Sequence, residues 1–262
     1  MARPLSLLGL FFVLVLASTS CVSTQKATYF NDAGDTTFST RPDDAADAPI
    51  LKNDILSVTI SSANADASAL FNTSNNYQTS STSSTGTQTS VSGYLVNSEG
   101  FIQLPILGNI KAAGLSRKQL KSDITTMILD KKLLIDPIVT IRYLNFEVTV
   151  LGEVAHPTVI NVPNEKISLV KALGLAGDIT VYGKKDNVLL IRENDGKRKI
   201  KRINMNSRNF LTSSYYYLQP NDVIYVEANK EKVAQASRNQ ALLPTILSGL
   251  SVIAVVLTQL IK

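Results

Sequence analysis

Val139-Thr140-Ile141-Arg142-Tyr143-Leu144-Asn145-Phe146-Glu147-Val148-Thr149-Val150 alternates apolar and polar residues, but its phase changes in the middle. Val139, Ile141 and Tyr143 share one parity, whereas Phe146, Val148 and Val150 take the other. Successive strand side chains point to opposite faces, so one strand cannot change parity without a break. A turn or bulge is therefore expected at Leu144-Asn145. An internal echo on either side supports a division there. Leu51-Lys52-Asn53-Asp54-Ile55-Leu56-Ser57-Val58 resembles Leu218-Gln219-Pro220-Asn221-Asp222-Val223-Ile224-Tyr225-Val226, and in each an Asn-Asp pair leads straight into a strand. Asn tolerates the left-handed conformation of a tight turn, and Asp bonds nearby backbone N–H groups. Asn53, Asp54, Asn221 and Asp222 thus read as strand-entry turns, not acid catalysts. The expected architecture is α+β, with two small units at 50–144 and 145–229.

Working outward, Leu56, Val58 and Ile60 alternate with Ser57 and Thr59 as a half-buried strand. Strands are also expected at Tyr94-Leu95-Val96 and Phe101 to Pro105, with a turn at Glu99-Gly100 and glycine punctuation at Gly108 and Gly114. Ser116 reads as the N-cap of a helix carrying Leu120, Ile124, Met127 and Ile128 and ending at Lys131-Lys132. After the break come Gly152, Pro157, a strand at 158–162, and a helix from Ser168 to Leu175 closed by Gly177. Strands at 188–192 and 199–203 flank the hairpin dipeptide Asp195-Gly196. Residues 72–92 contain 18 Ser, Thr, Asn or Gln in 21 positions, too polar to order themselves by burial, and read as a mobile insertion.

The ends carry different signals. Arg3, the uncharged stretch Leu5 to Ala17, and Ser18-Thr19-Ser20 before Cys21 describe a cleavable secretory signal at 1–20. Cys21 is the only cysteine, so it forms no intramolecular disulfide. At the expected cut it resembles the lipobox cysteine of bacterial lipoproteins, whose acylation would anchor residues 21–49 as a tether; a buried or free thiol is the bland alternative. At the other end, residues 239–261 carry no charge, and a membrane-spanning helix is expected at 242–261 within a C-terminal segment 230–262. Thr245, Ser248, Ser251, Ala254 and Thr258 would form a weakly polar stripe on it, a candidate lumen face. A plain anchor or a soluble core helix are the bland alternatives.

With these elements placed, a family comes into view. Asn97-Ser98-Glu99-Gly100-Phe101-Ile102-Gln103-Leu104-Pro105-Ile106-Leu107-Gly108 resembles the signature of the polysaccharide export domain, continued by Gly114-Leu115-Ser116 and Asp136-Pro137-Ile138-Val139. Val150-Leu151-Gly152-Glu153-Val154, Pro157, Ala172-Leu173, Ala176-Gly177 and Leu218 to Val226 are similar to the soluble-ligand-binding β-grasp module. Together they resemble the outer-membrane polysaccharide export proteins of the Wza type. The family usually has Gly at the positions of Asn53 and Asn221, Pro-Gly at Pro157-Thr158, and Gly-Gly at Gly177-Asp178. The resemblance implies a lipid-anchored outer-membrane protein with a periplasmic body. Identical subunits would form a ring whose C-terminal helices cross the membrane, placing the C-terminus outside. Capsular or exopolysaccharide would pass through it, in concert with an inner-membrane copolymerase.

Enzymatic signals are weak. His156 is the single histidine and precedes a proline, no Cys/His cluster suggests a metal, and no cofactor motif occurs. The net charge of +5 is mild, so no nucleic-acid role is inferred. Lys197, Arg198, Lys199, Lys201 and Arg202 form a basic run that reads as a solvated hairpin or as a contact for glycan or partner. Tyr215-Tyr216-Tyr217 reads as a sugar-stacking surface or as a strand beside a core. The leading alternative to a conduit is a non-pore lipoprotein scaffold that binds glycan or protein through its β-grasp module.

Overall fold

The computed structural model describes residues 28–35, 37, 48–72, 76–78, 90–194, 196–235, 246–249, 251–253, 256 and 259. Cys21, the signal at 1–20, and Thr245, Ala254 and Thr258 lie outside these residues.

The alternating stretch at Leu56 becomes β1 (Ile55–Ser61), the middle strand of an antiparallel sheet between β4 (Tyr94–Leu95) and β7 (Ile138–Tyr143). Register matches the parity in sequence. Leu56 lies opposite Tyr143, Val58 opposite Ile141 and Ile60 opposite Val139, and all six are buried. Cross-strand pairing on one face lets each side chain shield its partner from water. Over that face lies a helix, α2 (Arg117–Asp130), preceded in the chain by α1 (Ala65–Ala69). Ser116 caps α2 in a reciprocal box: its Oγ accepts the Gln119 N–H, and Gln119 Oε1 accepts the Ser116 N–H at 2.8 Å. Leu120, Ile124 and Ile128 are fully buried, each contributing roughly 2 kcal/mol of burial. A hairpin of β5 (Phe101–Leu104) and β6 (Gly108–Lys111) closes the core with Ile102, Leu104 and Ile110.

Two short strands lie within the polar insertion, of which residues 73–75 and 79–89 lie outside the described residues. β2 (Asn76–Gln78) pairs antiparallel with β3 (Ser90–Ser92). Backbone pairing needs no apolar side chains, so composition alone does not report it.

The second unit is a five-stranded sheet in the order β11-β10-β12-β8-β9. Its strands are β8 (Glu147–Gly152), β9 (Thr158–Asn161), β10 (Gly183–Asn194), β11 (Lys197–Ile203) and β12 (Val223–Ala228). β12 and β8 pair in parallel, and the other neighbours are antiparallel. Val148, Val150, Val188, Leu190, Ile224 and Val226 are fully buried on one face, under Leu169, Ala172 and Leu173 of α3 (Leu169–Leu175). A short helix, α4 (Lys230–Gln235), follows β12. Tyr215-Tyr216-Tyr217 does not form a strand. It lies in the loop after a 3-10 turn at Arg208–Thr212, attached by one bridge from Tyr217 to Ser168.

The chain crosses between the units where the parity changes. The Leu144 N–H donates to Ile55 O, and the Asn145 side chain accepts the Ile55 N–H at 2.9 Å and donates to Asn53 O. Farther along the interface Glu165, with φ 54°, pairs with Arg117 and accepts the Tyr143 N–H at 2.6 Å. Residues 28–35, part of the expected tether, lie against the second unit. Phe30 and Asn31 donate backbone N–H groups to Met205 and Asn206, Tyr29 donates to Asp178, and Asp32 accepts from Ser207 and the Arg208 N–H.

The expected membrane-spanning helix at 242–261 is not supported. Among the described residues, no helix is long and apolar enough to cross a membrane. Apolar length is a property of composition, whereas crossing requires an unbroken helix of about 20 residues with every backbone group paired inside it. Of the expected stripe, Ser248 and Ser251 are described as exposed helical residues, and Ser251 Oγ donates to Ser248 O at 2.8 Å.

Candidate functional site

The two Asn-Asp turns have the same construction. Asn53 (φ 69°) and Asn221 (φ 65°) are left-handed, the conformation for which the resembling family uses glycine. One residue later, a carboxylate folds back on the turn. Asp54 Oδ2 accepts the Leu51 N–H at 2.7 Å, and Asp222 Oδ2 accepts the Gln219 N–H at 2.8 Å. Both carboxylates are buried, Asp54 at 1% and Asp222 at 0% exposure.

Their electrostatics differ. Among the described residues Asp54 has no cationic partner and its Oδ1 no hydrogen-bond partner, and burial pushes its carboxyl up from 3.8 to about 6, against the opposing Leu51 bond. Asp222 receives Arg192 through Nε at 2.8 Å and a terminal nitrogen at 2.7 Å. Burial raises the Asp222 carboxyl, and the paired guanidinium opposes that rise. Neither acid reaches solvent, so both hold turns in place instead of serving a substrate.

Between the units these turns line one open cleft of about 850 Å³, where Asn53 and Asn221 are joined by Lys52, Lys111, Asn145 and Glu193. Neither turn predicts this meeting, because it requires both sheets and the Asn145 crossing. The cleft carries opposite charges and amides but no activated nucleophile. Among the described residues, no group of three His, Cys, Asp or Glu side chains is placed to hold a metal ion.

The other motif residues are structural. Gly152 (φ 90°) runs so close to β12 that an added Cβ would lie 2.1 Å from Val226 O. Gly177 (φ 79°) closes α3 beside the Pro157 loop, where a Cβ would meet His156 Nδ1 at 2.6 Å. His156 is thus a turn residue. Gly100 accepts the Ala112 and Ala113 N–H groups, and Gly108 ends a turn in which Pro105 precedes left-handed Ile106. At the departures from the family pattern, Thr158 is an extended β9 residue and meets no demand for positive φ. Asp178 (φ 71°) uses its side chain to hold Tyr29 and its own neighbour Ile179 N–H. The basic run forms β11, at a sheet edge and largely exposed.

Residues 42–144 match the family model described as polysaccharide biosynthesis/export protein, and residues 147–226 match that of the SLBB domain. The two matches cover the first sheet with its helix and the second sheet with its helix, in the order found here. The two matches in this order, with the relatives below, support a Wza-type polysaccharide export protein. Curated relatives agree: an "EPS I polysaccharide export outer membrane protein EpsA" from Ralstonia nicotianae is 37% identical over 107 residues, 39% of this chain. A protein of the same description from Ralstonia solanacearum is 37% identical over 94 residues, 35% of this chain. The matched stretches span 28% and 24% of those relatives, so the likeness covers a minor part of each. The matched families are polysaccharide export proteins, not enzymes.

Proposed function

We propose that this export protein is a subunit of an outer-membrane assembly through which capsular or exopolysaccharide leaves the cell. The observation that carries the reading is the export-domain match over 42–144, joined within three residues to the SLBB match beginning at 147. Two relatives named as exopolysaccharide export proteins of the outer membrane support the compartment and the substrate class. Acylation of Cys21 after removal of 1–20 anchors the chain on outer-membrane lipid. The body then lies in the periplasm, where an inner-membrane copolymerase delivers the polymer.

The subunits close into a ring. Support for self-association comes from apolar side chains the single chain leaves in water: Leu129, Ile135 and Ile138 at and after the end of α2, and Val181 just before β10, with Ile135 at 83% and Val181 at 86% exposure. Apolar surface of this kind marks contact sites. Conduction in such a ring is passive. The protein supplies a path and positions its partners, and no bond of the polymer is made or broken by it.

The test is deletion of the gene followed by measurement of cell-surface polysaccharide, together with electron microscopy of the full-length protein extracted in mild detergent. Loss of surface polymer, restored by the intact gene, and ring-shaped particles are expected. Undiminished surface polymer would sink the export role. Discrete monomers carrying full complementing activity would sink the ring. Palmitate labelling that disappears in Cys21→Ala checks the anchor.

A further inference from the structure

We propose that the inner-facing side of the β11 edge is a binding subsite for an acidic polysaccharide, built from Lys199, Lys201, Tyr215, Tyr217 and Lys166. The inference rests on the polysaccharide-export reading and names the charge class of the polymer. Its starting point is the division of the basic run by strand parity. Arg198 and Arg202 point to the outer sheet face, where each has a carboxylate, Glu193 at 2.9 Å and Glu227 at 3.2 Å. Lys199 and Lys201 point to the other face, opposite Arg192 and Leu190 in the ladder. Among the described residues neither is ion-paired. A solvated hairpin needs no such sorting, because interspersed exposed charges of both faces would serve equally well.

What Lys201 faces is aromatic, and Lys166 faces a neighbouring ring. Lys201 Nζ lies 5.6 Å from the Tyr215 ring centroid, and Lys166 Nζ, also without an ion pair, lies 4.4 Å from that of Tyr217. Tyr216 packs edge-on against Tyr217 with centroids 4.9 Å apart. The platform is fixed from beneath. Arg192, itself held by both oxygens of buried Asp222, lies 5.6 Å from the Tyr215 centroid and donates to Tyr217 O. Lys199 sits about 6.8 Å along the same strand face from Lys201, which lies over a ring whose position is already set.

Rows of unpaired ammonium groups attract anions, and half-buried tyrosines offer flat surfaces to the C–H faces of sugar rings and hydroxyls to their oxygens. A chain of uronate residues carries both features together. An anionic lipid surface suits this face less well. Membrane contact favours protruding aliphatic side chains, and the exposed aliphatic residue of β11, Ile200, points to the opposite face.

The test uses the full-length protein in neutral detergent and fluorescein-labelled polygalacturonate, with dextran and phosphatidylglycerol vesicles as alternative probes. Polygalacturonate binds at about 50 mM salt, is released as charges are screened at about 500 mM, and dextran does not compete. Lys199→Gln/Lys201→Gln weakens binding about tenfold, the effect of losing two exposed charge contacts. Arg198→Gln/Arg202→Gln removes the same formal charge from the other face and changes affinity less than about twofold. Tyr215→Leu, checked for an unchanged melting curve, weakens binding by a similar factor to the lysine pair. Equal weakening by the two charge-removing pairs would show net charge alone at work and overturn the site. Vesicle binding without polygalacturonate binding would overturn it in favour of a lipid contact. Unchanged polygalacturonate affinity in the lysine pair, in a strain whose export depends on the gene, overturns the subsite and leaves the export role standing. Continued export in the deletion strain overturns the export role itself.

Discussion

Asp54→Asn and Asp222→Asn alter two turns of the same construction by the same few atoms, and their effects on stability should have opposite signs. Asn keeps the oxygen that accepts the Leu51 or Gln219 N–H, so the turn itself survives. At Asp54 the substitution removes a buried charge that has no counter-ion. Raising that carboxyl from 3.8 unfolded to about 6 in the fold means that ionising it there costs about 3 kcal/mol more than in water. Between these values the folded state holds the proton that the unfolded chain releases, so stability falls as pH rises through that window. The penalty is absent below about pH 4 and complete above about pH 7. An amide placed beside the unpaired Asp54 Oδ1 position returns about 1 kcal/mol of unsatisfied donor, leaving a net gain of about 2 kcal/mol at pH 7.5. At Asp222 the same change leaves the Arg192 guanidinium, 8% exposed, without its carboxylate, a loss of about 3–5 kcal/mol. Circular-dichroism melts of the full chain at pH 4.5 and 7.5 read both effects. At pH 7.5 the midpoint should rise about 5 °C for Asp54→Asn and fall about 10 °C for Asp222→Asn. At pH 4.5 the Asp54→Asn gain should largely vanish, while the Asp222→Asn loss persists. A midpoint for Asp54→Asn that falls at pH 7.5, or a gain of equal size at both pH values, would refute the reasoning.

Other consequences follow from the backbone and the interface. Gly152→Ala places a methyl 2.1 Å from Val226 O at a φ of 90°, so it should cost more than about 3 kcal/mol and lower soluble yield; unchanged melting would refute the close approach. Ile106, β-branched and left-handed at φ 66°, is 52% exposed, so Ile106→Asn should stabilise by about 1 kcal/mol in the same melts. Glu165→Gln removes the carboxylate that ties Arg117 and the Tyr143 N–H across the interface. It should cost about 2 kcal/mol and speed proteolytic cleavage near residues 144–146, whereas equal cleavage rates would show that the units hold together without it.

Much of this architecture was legible because local rules and burial agreed. The face of β7 could be read from Val139, Ile141 and Tyr143 because the pleat alternates at every residue, and the shift at Phe146 had to mark a crossing. Ser116 announced α2 because an orphan N–H needs an acceptor, and the Asn-Asp pairs announced turns for the same kind of reason. The apolar length of the C-terminal segment does not by itself make a span, because a span needs a continuous helix and the described residues hold none that meets the requirement.

By itself, then, the sequence determined the two α+β units, their turns and caps, and the family to which they belong, since each depends on residues within a few positions of one another. Only the tertiary structure decided the partnerships. The parallel pairing of β12 with β8 joins residues more than 70 positions apart, and the stretch at 28–35 packs on the second unit although it precedes the first. Asp54 and Asp222 look alike in sequence and burial raises both carboxyls, but Arg192 pairs with Asp222 whereas among the described residues no cation pairs with Asp54. Lys199 and Lys201 separate from Arg198 and Arg202 only when a neighbouring strand and the tyrosine loop give the two faces different company. Local patterns record what a residue does to its own backbone, whereas partners distant in sequence meet through the packing free energy of the whole fold.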